Sequence, residues 1–550
     1  MGVAAGTSRM SITRTREDLM ACRQPHVWMS RLTLTLAVLL AVAVGWFALG
    51  PADAQTPSAG APKKGGLLRI AMIGEPPTLD PHLTTATIAR EIGAQIFETL
   101  YALDGRYEAV PFLAEGHEAL DGGKRYVVRL RKGVRFHNGK ELEAADVVAS
   151  LRRWGAVSST GKTIFKGVEA VEAKGPLTVE IRLREPSVIL PVVLGAMGPF
   201  AAITTKDIVD ASGDGPLKEL VGTGPYRLAE HRPDRHIKLV RFDGYAARSE
   251  APNGFAGQRT AYLDELRFLP VPEEATRWAG LQSAEYDFAQ QLRPDHYEGL
   301  RAGGGMAPVV VKPYGWAVLV LNLKQGLLTD LRLRQAIQAA VNVEPAMQVA
   351  MGHRDFYRLD PGLFFPGQTW HSMAGARLYN QQDPAKARRL LREAGYQGQP
   401  VRWMVTTEYE HHYKPALVVK SQLEEVGFKI DLQVSDWATV VQRRNKAELW
   451  DIFSTGIVFD AEPSTSVQVL CEWPGWWCTP EKDALLQAMG REPDPKKRLA
   501  TWEKVQTLFY EDAARIRLGD YFRLDARRAN VLGYEPGPYM HFWNVWLGGK

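Results

Sequence analysis

The stretch Asp451-Ile-Phe-Ser-Thr-Gly-Ile-Val-Phe-Asp460 decides how the rest of the sequence is interpreted. The residues before Asp460 are mostly apolar and include β-branched and aromatic types, which predicts a strand buried on both faces. Asp460 then places a carboxylate just beyond the strand, and α/β proteins usually bind ligands in the loops at the carboxyl ends of strands. The sequence therefore favours Asp460 as a ligand contact. The alternative is an aspartate that only caps the turn ending at Pro463.

Residues 1–54 have the pattern of an export signal. An apolar run from Leu32 to Leu49 precedes Ala52-Asp53-Ala54, which fits a small-x-small cleavage site. The start of the chain is open between Met1 and Met29, because a start at Met29 removes a long polar segment ahead of the run. Since the run is just long enough to span a bilayer, a retained membrane anchor is the alternative.

Length and composition indicate a globular chain with more than one domain. The 550 residues are 45% hydrophobic, enough for a large core, and the net charge is +5. Without residues 1–54, which hold five arginines and three acids, the charge is about +3, too balanced to indicate a nucleic-acid partner. Residues 55–64 are rich in Pro, Ala, Ser and Lys, so they are predicted to be a flexible tether ahead of a folded part that starts at Gly65.

Two of the three cysteines are expected to form a disulfide. Cys22 lies in the predicted signal, whereas Cys471 and Cys478 close a short loop around Glu-Trp-Pro-Gly-Trp-Trp. An even pair in an exported chain favours a disulfide, and the Pro-Gly turn helps to bring the two ends together. Two cysteines alone make a poor zinc site. The tryptophans of the loop are interpreted as packing side chains, with a place in a ligand site as the alternative.

Several motifs resemble those of enzymes or metal sites without matching them. Gly155 to Thr163 nearly spells a phosphate-binding loop, but its glycines are one residue too far apart and a helix is predicted before them. Glu408-Tyr-Glu-His-His412 carries metal-ligand types, yet neighbours on one element point different ways, so a solvated polar turn is predicted. Neither Gly-x-Ser-x-Gly nor His-Glu-x-x-His occurs. The sequence therefore predicts no catalytic residue, no metal site and no cofactor.

Local patterns predict α/β elements in both halves of the chain. Residues 66–72 read as a strand that runs into Glu75-Pro-Pro-Thr-Leu-Asp-Pro81, a loop stiffened by three prolines. In the second half, Asp383 is a good N-cap with Pro384 at the first helical position. A further helix at residues 415–426 and an alternating strand at 428–434 follow in sequence. Such alternation of helices and strands is typical of a doubly wound lobe.

One long segment resembles a known family. It is Arg125-Tyr-Val-Val-Arg-Leu-Arg-Lys-Gly-Val-Arg-Phe-His-Asn-Gly-Lys-Glu-Leu-Glu-Ala-Ala-Asp-Val-Val-Ala-Ser-Leu151, which is similar to the signature of the family 5 extracytoplasmic solute-binding proteins. These proteins are the peptide-, dipeptide- and nickel-binding receptors of ABC importers. The resemblance covers nearly the whole chain after the signal, and its other segments are Pro77–Pro81, Gly222–Tyr226, Thr276–Asp287, Asn322–Asn342 and Asp383–Tyr396.

The resemblance implies an α/β fold with the two-lobed, type II-like architecture of periplasmic binding proteins, an enlarged first lobe and a ligand cleft between the lobes. The expected parts are a first lobe at residues 65–312 with an inserted subdomain at about 100–220, a second lobe at 313–515, and a C-terminal return to the first lobe at 516–550. The expected function is capture of a small solute, above all a short peptide, and its delivery to an ABC permease in the inner membrane. We expect a periplasmic monomer that performs no chemistry; an exported hydrolase with an unrecognised site is the alternative.

The resemblance also implies which residues contact the ligand. In peptide-binding relatives an acid after the long strand of the second lobe meets the α-amino group of the peptide, and this role falls on Asp460. Gly456, Ile457 and Val458 match the strand residues just before it. Trp437 matches a pocket-wall tryptophan, and Glu75 matches a ligand-contact position of the first lobe.

Three departures from the family pattern leave the ligand class open. Ile457 stands where peptide binders often carry an aromatic residue, and Ser454 stands where some carry an arginine. The turn from Asp460 to Pro463 is one residue shorter than usual. An opine, a sugar, an antibiotic or a metal chelate is therefore the alternative to a peptide.

Overall fold

The computed structural model describes residues 61–549, with gaps at residues 85, 199, 408 and 459. The predicted export signal, most of the predicted tether and Phe459 of the quoted stretch lie outside the described residues. Within the described range, no helix is long and apolar enough to cross a membrane.

The secondary structure has runs of consecutive strands in the first half of the chain and alternates strands with helices in the second half. The strands are β1 Leu67–Met72, β2 Tyr101–Leu103, β3 Ala109–Pro111, β4 Ala114–Leu120, β5 Arg125–Leu130, β6 Val168–Gly175, β7 Thr178–Leu183, β8 Tyr226–Arg232, β9 His236–Arg241, β10 Glu265–Pro270, β11 Phe288–Leu292, β12 Met306–Leu321, β13 Tyr357–Arg358, β14 Pro400–Val405, β15 Lys429–Val434, β16 Ile452–Val458, β17 Arg515–Arg528, β18 Val531–Leu532 and β19 Trp546–Leu547. The α-helices are α1 Thr87–Ile96, α2 Ala144–Val157, α3 Ser159–Phe165, α4 Leu190–Val193, α5 Lys206–Ser212, α6 Glu274–Gln282, α7 Tyr297–Arg301, α8 Leu331–Ala340, α9 Val343–Met351, α10 Pro384–Glu393, α11 Glu410–Val426, α12 Trp437–Arg443, α13 Pro480–Arg491 and α14 Pro495–Glu511.

One large mixed sheet runs through both halves of the chain. Its strand order is β15-β14-β16-β12-β17-β11-β1-β10-β9-β8, and β13 also pairs with β17. At its centre β12 and β17 pair antiparallel from Met306↔Arg528 to Val320↔Arg515, with a register shift between Val311 and Gly315. Before the shift β17 borders β11, and after it β12 borders β16. The two long strands therefore carry the sheet from the first half of the chain into the second.

Helices cover both faces of the sheet in the second half, as expected when the strands are buried on both sides. On one face, β14 and β16 pack against α8, α9, α10 and α11 around buried side chains such as Ile337 and Trp403. On the other face, Phe453 and Ile457 of β16 pack against α13 and α14, including Trp502. Both faces of β16 are thus buried, which confirms the strand predicted at residues 451–459 over its described part.

A separate antiparallel sheet of four strands, in the order β4-β5-β7-β6, lies within the first half. It forms its own core with α2, which buries Val147, Leu151 and Trp154 against Tyr126 and Val128. The near-match to a phosphate-binding loop falls at the end of α2 and on α3, so a helix does precede it, as the sequence predicts.

Helix α10 begins where the sequence predicts, whereas α11 differs from the prediction. The side chain of Asp383 accepts a hydrogen bond of 2.8 Å from the backbone N–H of Lys386, with Pro384 in the first turn. The helix predicted from Pro415 instead begins at Glu410 and keeps Pro415 in its interior. Pro415 is the sixth residue of this helix. Because proline has no backbone N–H, the helix lacks one hydrogen-bond donor there, close to its N-terminus.

Candidate ligand-binding site

Asp460 lies two residues beyond the end of β16, in the half-buried loop that follows this strand. One carboxylate oxygen accepts a hydrogen bond of 2.9 Å from the backbone N–H of Ala461. Its backbone carbonyl accepts a hydrogen bond of 2.8 Å from Nε2 of Gln368. Trp370 donates from its indole nitrogen to the carbonyl of Ala461 at 3.0 Å, so two side chains fix the backbone that carries the carboxylate.

Asp460 borders a cavity of about 30 Å³ that both halves of the chain help to form. From the second half come Asp460 and Ala461, and from elsewhere come Leu103, Ala196, Met197, Gly198, Phe255, Pro538 and Tyr539. These first-half and C-terminal residues were missed by the sequence reasoning. They are scattered over more than 400 positions with no shared motif, so no local signal could have grouped them.

The carboxylate of Asp460 has no ion-pair partner among the residues that the structure describes. Burial raises the pKa of this carboxyl to about 6, because the charged form loses contact with water. The Ser466 side chain and the backbone amides of Ala461 and Glu462 lower the pKa but do not offset the effect of burial. An ionised carboxylate held in this way is costly, and a cationic group brought into the cavity would reduce that cost.

The strand residues Gly456, Ile457 and Val458 present one paired edge and one edge without a strand. On the paired edge they lie opposite Ala317, Trp316 and Gly315 of β12. On the other edge, β14 pairs with β16 only at Ile452 and Phe453, and no described strand continues beyond Phe453. A side chain at 456 would put its Cβ 2.3 Å from Oη of Tyr521, so this position favours glycine.

Trp437 is the first residue of α12, and Asp436 is its N-cap. The side chain of Asp436 accepts a hydrogen bond of 2.8 Å from the backbone N–H of Thr439. The half-buried indole lies edge-on to Tyr409, with 5.5 Å between ring centres, and 5.3 Å from His412. The structure therefore places Trp437 in an aromatic cluster at the start of α11.

His411 and His412 belong to this cluster, and their surroundings correct the prediction of a solvated polar turn. They lie in the first turn of α11, and the ring of His411 is 4.3 Å from the ring of Tyr521. Burial lowers the pKa of His411 to about 4 and that of His412 well below its ordinary value, so both rings are neutral near pH 7. Glu408 lies outside the described residues, and within the described part of the chain no three potential ligands gather into a metal site.

Glu75 lies in the loop after β1 and contacts the hairpin between β8 and β9. Its Oε1 is 2.6 Å from Nε2 of His231, and its Oε2 accepts a hydrogen bond of 3.2 Å from the backbone N–H of Asp234. The structure brings Glu75 and this hairpin together, whereas Asp460 and Trp437 are held by other elements.

The disulfide loop packs on the sheet near the end of β12. Cys471 and Cys478 are joined by a disulfide, with 4.5 Å between their Cα atoms. Within the loop, Trp476 stacks on Trp450 at 5.6 Å, and the ring of Trp473 is 5.8 Å from that of Phe453. The loop therefore contacts the strand that leads to Asp460.

Comparison with known proteins identifies the family. The family model described as Bacterial extracellular solute-binding proteins, family 5 Middle matches residues 108–473. The chain is 27% identical over 501 residues to the probable peptide ABC transporter periplasmic-binding protein y4tO of Sinorhizobium fredii, which covers 85% of this chain and 91% of that relative.

Two solved structures share the fold. One is the periplasmic binding protein DppA from Helicobacter pylori in complex with the peptide STSA, with a TM-score of 0.75, 22% identity, and coverage of 88% of this chain and 99% of that chain. The other is the binding protein AgaA from A. tumefaciens R10 in complex with agropinic acid, with a TM-score of 0.74, 22% identity and the same coverage. The architecture is thus the two-lobed α/β fold of periplasmic binding proteins. Because the family model matches well over half of the sequence, the chain belongs to the bacterial extracellular solute-binding proteins of family 5.

Proposed function

We propose that this protein captures short peptides in the periplasm and delivers them to an ABC permease in the inner membrane, without chemistry of its own. The observation that carries the proposal is the carboxylate of Asp460, which faces a cavity between the two halves of the chain without a cationic partner among the described residues. The α-amino group of a peptide is positively charged and carries N–H donors, so it can form a charge-assisted hydrogen bond with this carboxylate.

The cavity volume supports a binding cycle in which the lobes separate and close. Ligand pockets usually measure about 300–1,000 Å³, whereas the cavity at Asp460 measures about 30 Å³. A peptide therefore enters only when the walls move apart. The shift in register between Val311 and Gly315 supports a lobe boundary near residues 312–313, and β17 supports a return of the chain to the first lobe from about residue 516.

Backbone pairing is the second source of binding energy in this proposal. The edge of β16 from Ser454 to Val458 offers N–H and C=O groups beyond the end of β14. An extended peptide can add to such an edge as a further strand, with affinity from main-chain hydrogen bonds that do not depend on its side chains. Trp437 then supplies an apolar wall at the start of α12.

A non-peptide solute is the second candidate. The observation in its favour is Ser454, which accepts a hydrogen bond of 3.0 Å from the indole of Trp403 and is buried rather than presented to a ligand. Ile457 is buried on the other face of β16, in the core formed with α13 and α14. It therefore does not supply the aromatic contact that peptide binders often have at this position. The similar fold of a protein in complex with agropinic acid is consistent with this alternative.

The deciding experiment identifies the ligand directly. The exported protein is purified without denaturation, and the molecules released on unfolding are analysed by mass spectrometry. Peptides are expected, and calorimetric titration with the same peptides should reproduce binding. Recovery of a non-peptide solute that binds on titration would replace the peptide by that class, and turnover of peptides or esters would contradict a purely binding role.

Processing is tested on the same preparation. We propose that the mature N-terminus is Gln55, after Ala52-Asp53-Ala54. Terminal sequencing of the exported protein is expected to begin at Gln55. Retention of residues 29–54 would instead support a membrane anchor.

A further inference from the structure

A second carboxylate lies two residues after Asp460, and this one is paired. Glu462 accepts hydrogen bonds of 2.9 Å on Oε1 and 2.8 Å on Oε2 from Nη2 of Arg498, a residue of α14. Only 2% of the Glu462 side chain and 11% of the Arg498 side chain are exposed. The loop after β16 therefore carries one acid with a cationic partner and one acid, Asp460, for which the described residues provide none.

Arg498 reaches the same loop by a second route. Its Cζ lies 4.7 Å from the ring centre of Trp370, and the indole of Trp370 donates to the carbonyl of Ala461 at 3.0 Å. Nε of Arg498 also donates a hydrogen bond of 3.0 Å to the carbonyl of Met489 in α13. The guanidinium thus joins α13, the indole and the loop that follows β16.

Glu462 in turn fixes the turn after Asp460. Its Oε1 accepts hydrogen bonds of 2.6 Å from Oγ of Ser464 and 3.2 Å from the backbone N–H of the same residue. Its backbone carbonyl accepts a hydrogen bond of 3.2 Å from the hydroxyl of Thr465. Glu462 is not among the described residues that line the cavity at Asp460, so it acts on that site through the turn.

The charge of Glu462 also acts on Asp460. Burial is the main reason that the pKa of the Asp460 carboxyl is raised to about 6, and the negative charge of Glu462 acts in the same direction. Arg498, 2.8 Å from Glu462, offsets that charge. On the opposite wall of the cavity the titratable residue is Tyr539, whose phenol stays neutral because burial raises its pKa. Arg90 of α1 is the cation that acts on Tyr539.

We propose that Arg498 is a positioning residue of the ligand site: it neutralises Glu462 and fixes the turn after β16, so that Asp460 meets the ligand ammonium group as the one unpaired acid of this turn. This assignment rests on the proposed peptide-binding function and deepens it, because it makes the charge of the amine contact depend on a residue outside the cavity. Without Arg498, two carboxylates of one turn would lack a cation, and like charges so close together favour protonation of one of them. Asp460 would then lose its charge at a higher pH.

The first test follows the titration of Asp460 without any ligand. The carboxyl carbon of Asp460 is observed by NMR of carbon-13-labelled protein and is assigned by its absence from Asp460→Asn. The midpoint is expected at about pH 6 in wild type, and Arg498→Met should raise it by about one pH unit. Glu462→Gln removes the neighbouring negative charge and should lower the midpoint. Arg498→Lys keeps the positive charge and should leave the midpoint close to that of wild type.

The direction of the shift separates this role from a purely structural one. If Arg498 only packs against the loop, its loss exposes Asp460 to water and lowers the midpoint towards the ordinary value of about 4. A lowered or unchanged midpoint in Arg498→Met would therefore overturn the proposal. Should Arg498→Met fail to fold, Glu462→Gln decides, and an unchanged midpoint in that variant overturns the proposal as well.

Two variants serve as matched controls. Asp80→Asn also breaks a buried pair of a carboxylate and a guanidinium, but this pair lies in the first half of the chain. Its loss of stability should leave the midpoint of Asp460 unchanged. Lys497→Met removes a positive charge from an exposed position next to Arg498. It should also leave the midpoint unchanged, because water and salt screen an exposed charge.

The second test measures binding of a synthetic tetrapeptide library with free termini, by calorimetry at two pH values. A rise of one unit in the midpoint lowers the ionised fraction of Asp460 at pH 6 from about one half to about one tenth. Arg498→Met should therefore bind about fivefold more weakly than wild type at pH 6 and nearly as tightly at pH 7.5. An equal loss at both pH values would show a displaced carboxylate and overturn the proposal.

The two tests separate this proposal from the peptide function. A wild type that binds no tetrapeptide at either pH would contradict the peptide function. The titration of the ligand-free protein would still decide the role of Arg498, because it needs no ligand.

Discussion

Two aspartates, one in each half of the molecule, are held in opposite ways. Asp80 follows β1, and its carboxylate accepts 2.6 Å and 3.3 Å hydrogen bonds from the guanidinium of Arg153. It also accepts from the backbone N–H groups of His82 and Leu217. Asp460 follows β16 and has no cationic partner among the described residues, so burial raises the pKa of its carboxyl to about 6.

The difference is the one expected between a structural acid and, under the function proposed above, a binding acid. The pair of Asp80 and Arg153 links the proline-rich loop after β1 to α2, which belongs to the other sheet of the first half. Its charge is satisfied before any ligand arrives. The charge of Asp460 is satisfied only if something external supplies a cation. The first acid should therefore determine folding, and the second should determine affinity.

Asp80→Asn should produce the largest effect, and on stability alone. Removing one partner of a buried pair leaves the Arg153 guanidinium uncompensated, which lowers the free energy of unfolding by about 3–5 kcal/mol. Urea denaturation of the variant and the wild type measures this loss in the free energy of unfolding. Asp207→Asn, at an exposed acid, is the control and should change stability by less than about 0.5 kcal/mol. A loss in Asp80→Asn no larger than this control would remove the structural role of the pair.

Asp460→Asn should weaken ligand binding without lowering stability. Binding of an ammonium-bearing peptide should weaken by about 2–5 kcal/mol, because the ligand cation loses its buried partner. The free energy of unfolding should stay the same or rise, since a neutral amide avoids the cost of burying a charge. Calorimetry and urea denaturation on one preparation give both quantities. If the variant binds the peptide as tightly as wild type, the assignment of the amine contact to Asp460 is wrong.

The pH dependence should sharpen the comparison through the pKa of Asp460. In the free protein most of this carboxylate becomes protonated between pH 7 and pH 5, while a peptide amine stays charged and the pKa of His411, about 4, keeps that ring neutral. Affinity for an ammonium-bearing peptide should therefore fall about tenfold over this range. Calorimetry at several pH values tests it, and Asp460→Asn should show no such fall.

The same shift fixes the sign of its effect on stability. A carboxyl whose pKa is raised in the folded state binds its proton more tightly there than in the unfolded chain. Asp460 therefore destabilises the fold above about pH 6, and this cost disappears as the pH falls towards 4. Unfolding curves of Asp460→Asn and wild type should converge at low pH. Curves that diverge there would show that the carboxyl is not shifted upwards.

Glu75→Gln should have the smallest effect. Glu75 already contacts His231 and the backbone of Asp234 and is partly open to water, so its loss should change ligand affinity by less than about 1 kcal/mol. Titration with the peptides used for Asp460→Asn provides the comparison. A loss as large as that in Asp460→Asn would restore Glu75 as a principal ligand contact.

The features that the sequence could predict are those with a local signal. A buried strand ending in an acid is visible in the run from Asp451 to Asp460, and the N-cap at Asp383 follows from its position before Pro384. The family resemblance extended these local patterns to a two-lobed fold. Each of these predictions depends on residues close together in the chain or on a motif with a fixed order.

The missed features depend on contacts between distant residues. Tyr539 and Met197 reach the cavity of Asp460 from parts of the chain that share no motif with β16. Similarly, the first turn of α11 looked solvated because His411 and His412 are polar, yet the packing of Trp437 and Tyr521 buries them. Neither result follows from the periodicity of apolar residues, because the burial of a polar residue depends on which distant residues pack against it.

The position of β17 has a consequence for when the fold forms. This strand lies between β12 and β11 near the middle of the large sheet, but it follows every other strand of that sheet in the sequence. A nascent chain that ends before residue 515 has two sheet fragments and no strand to join them. Pairing over such long sequence separations is slow. The large sheet therefore stays in two separate parts until β17 is available to join them.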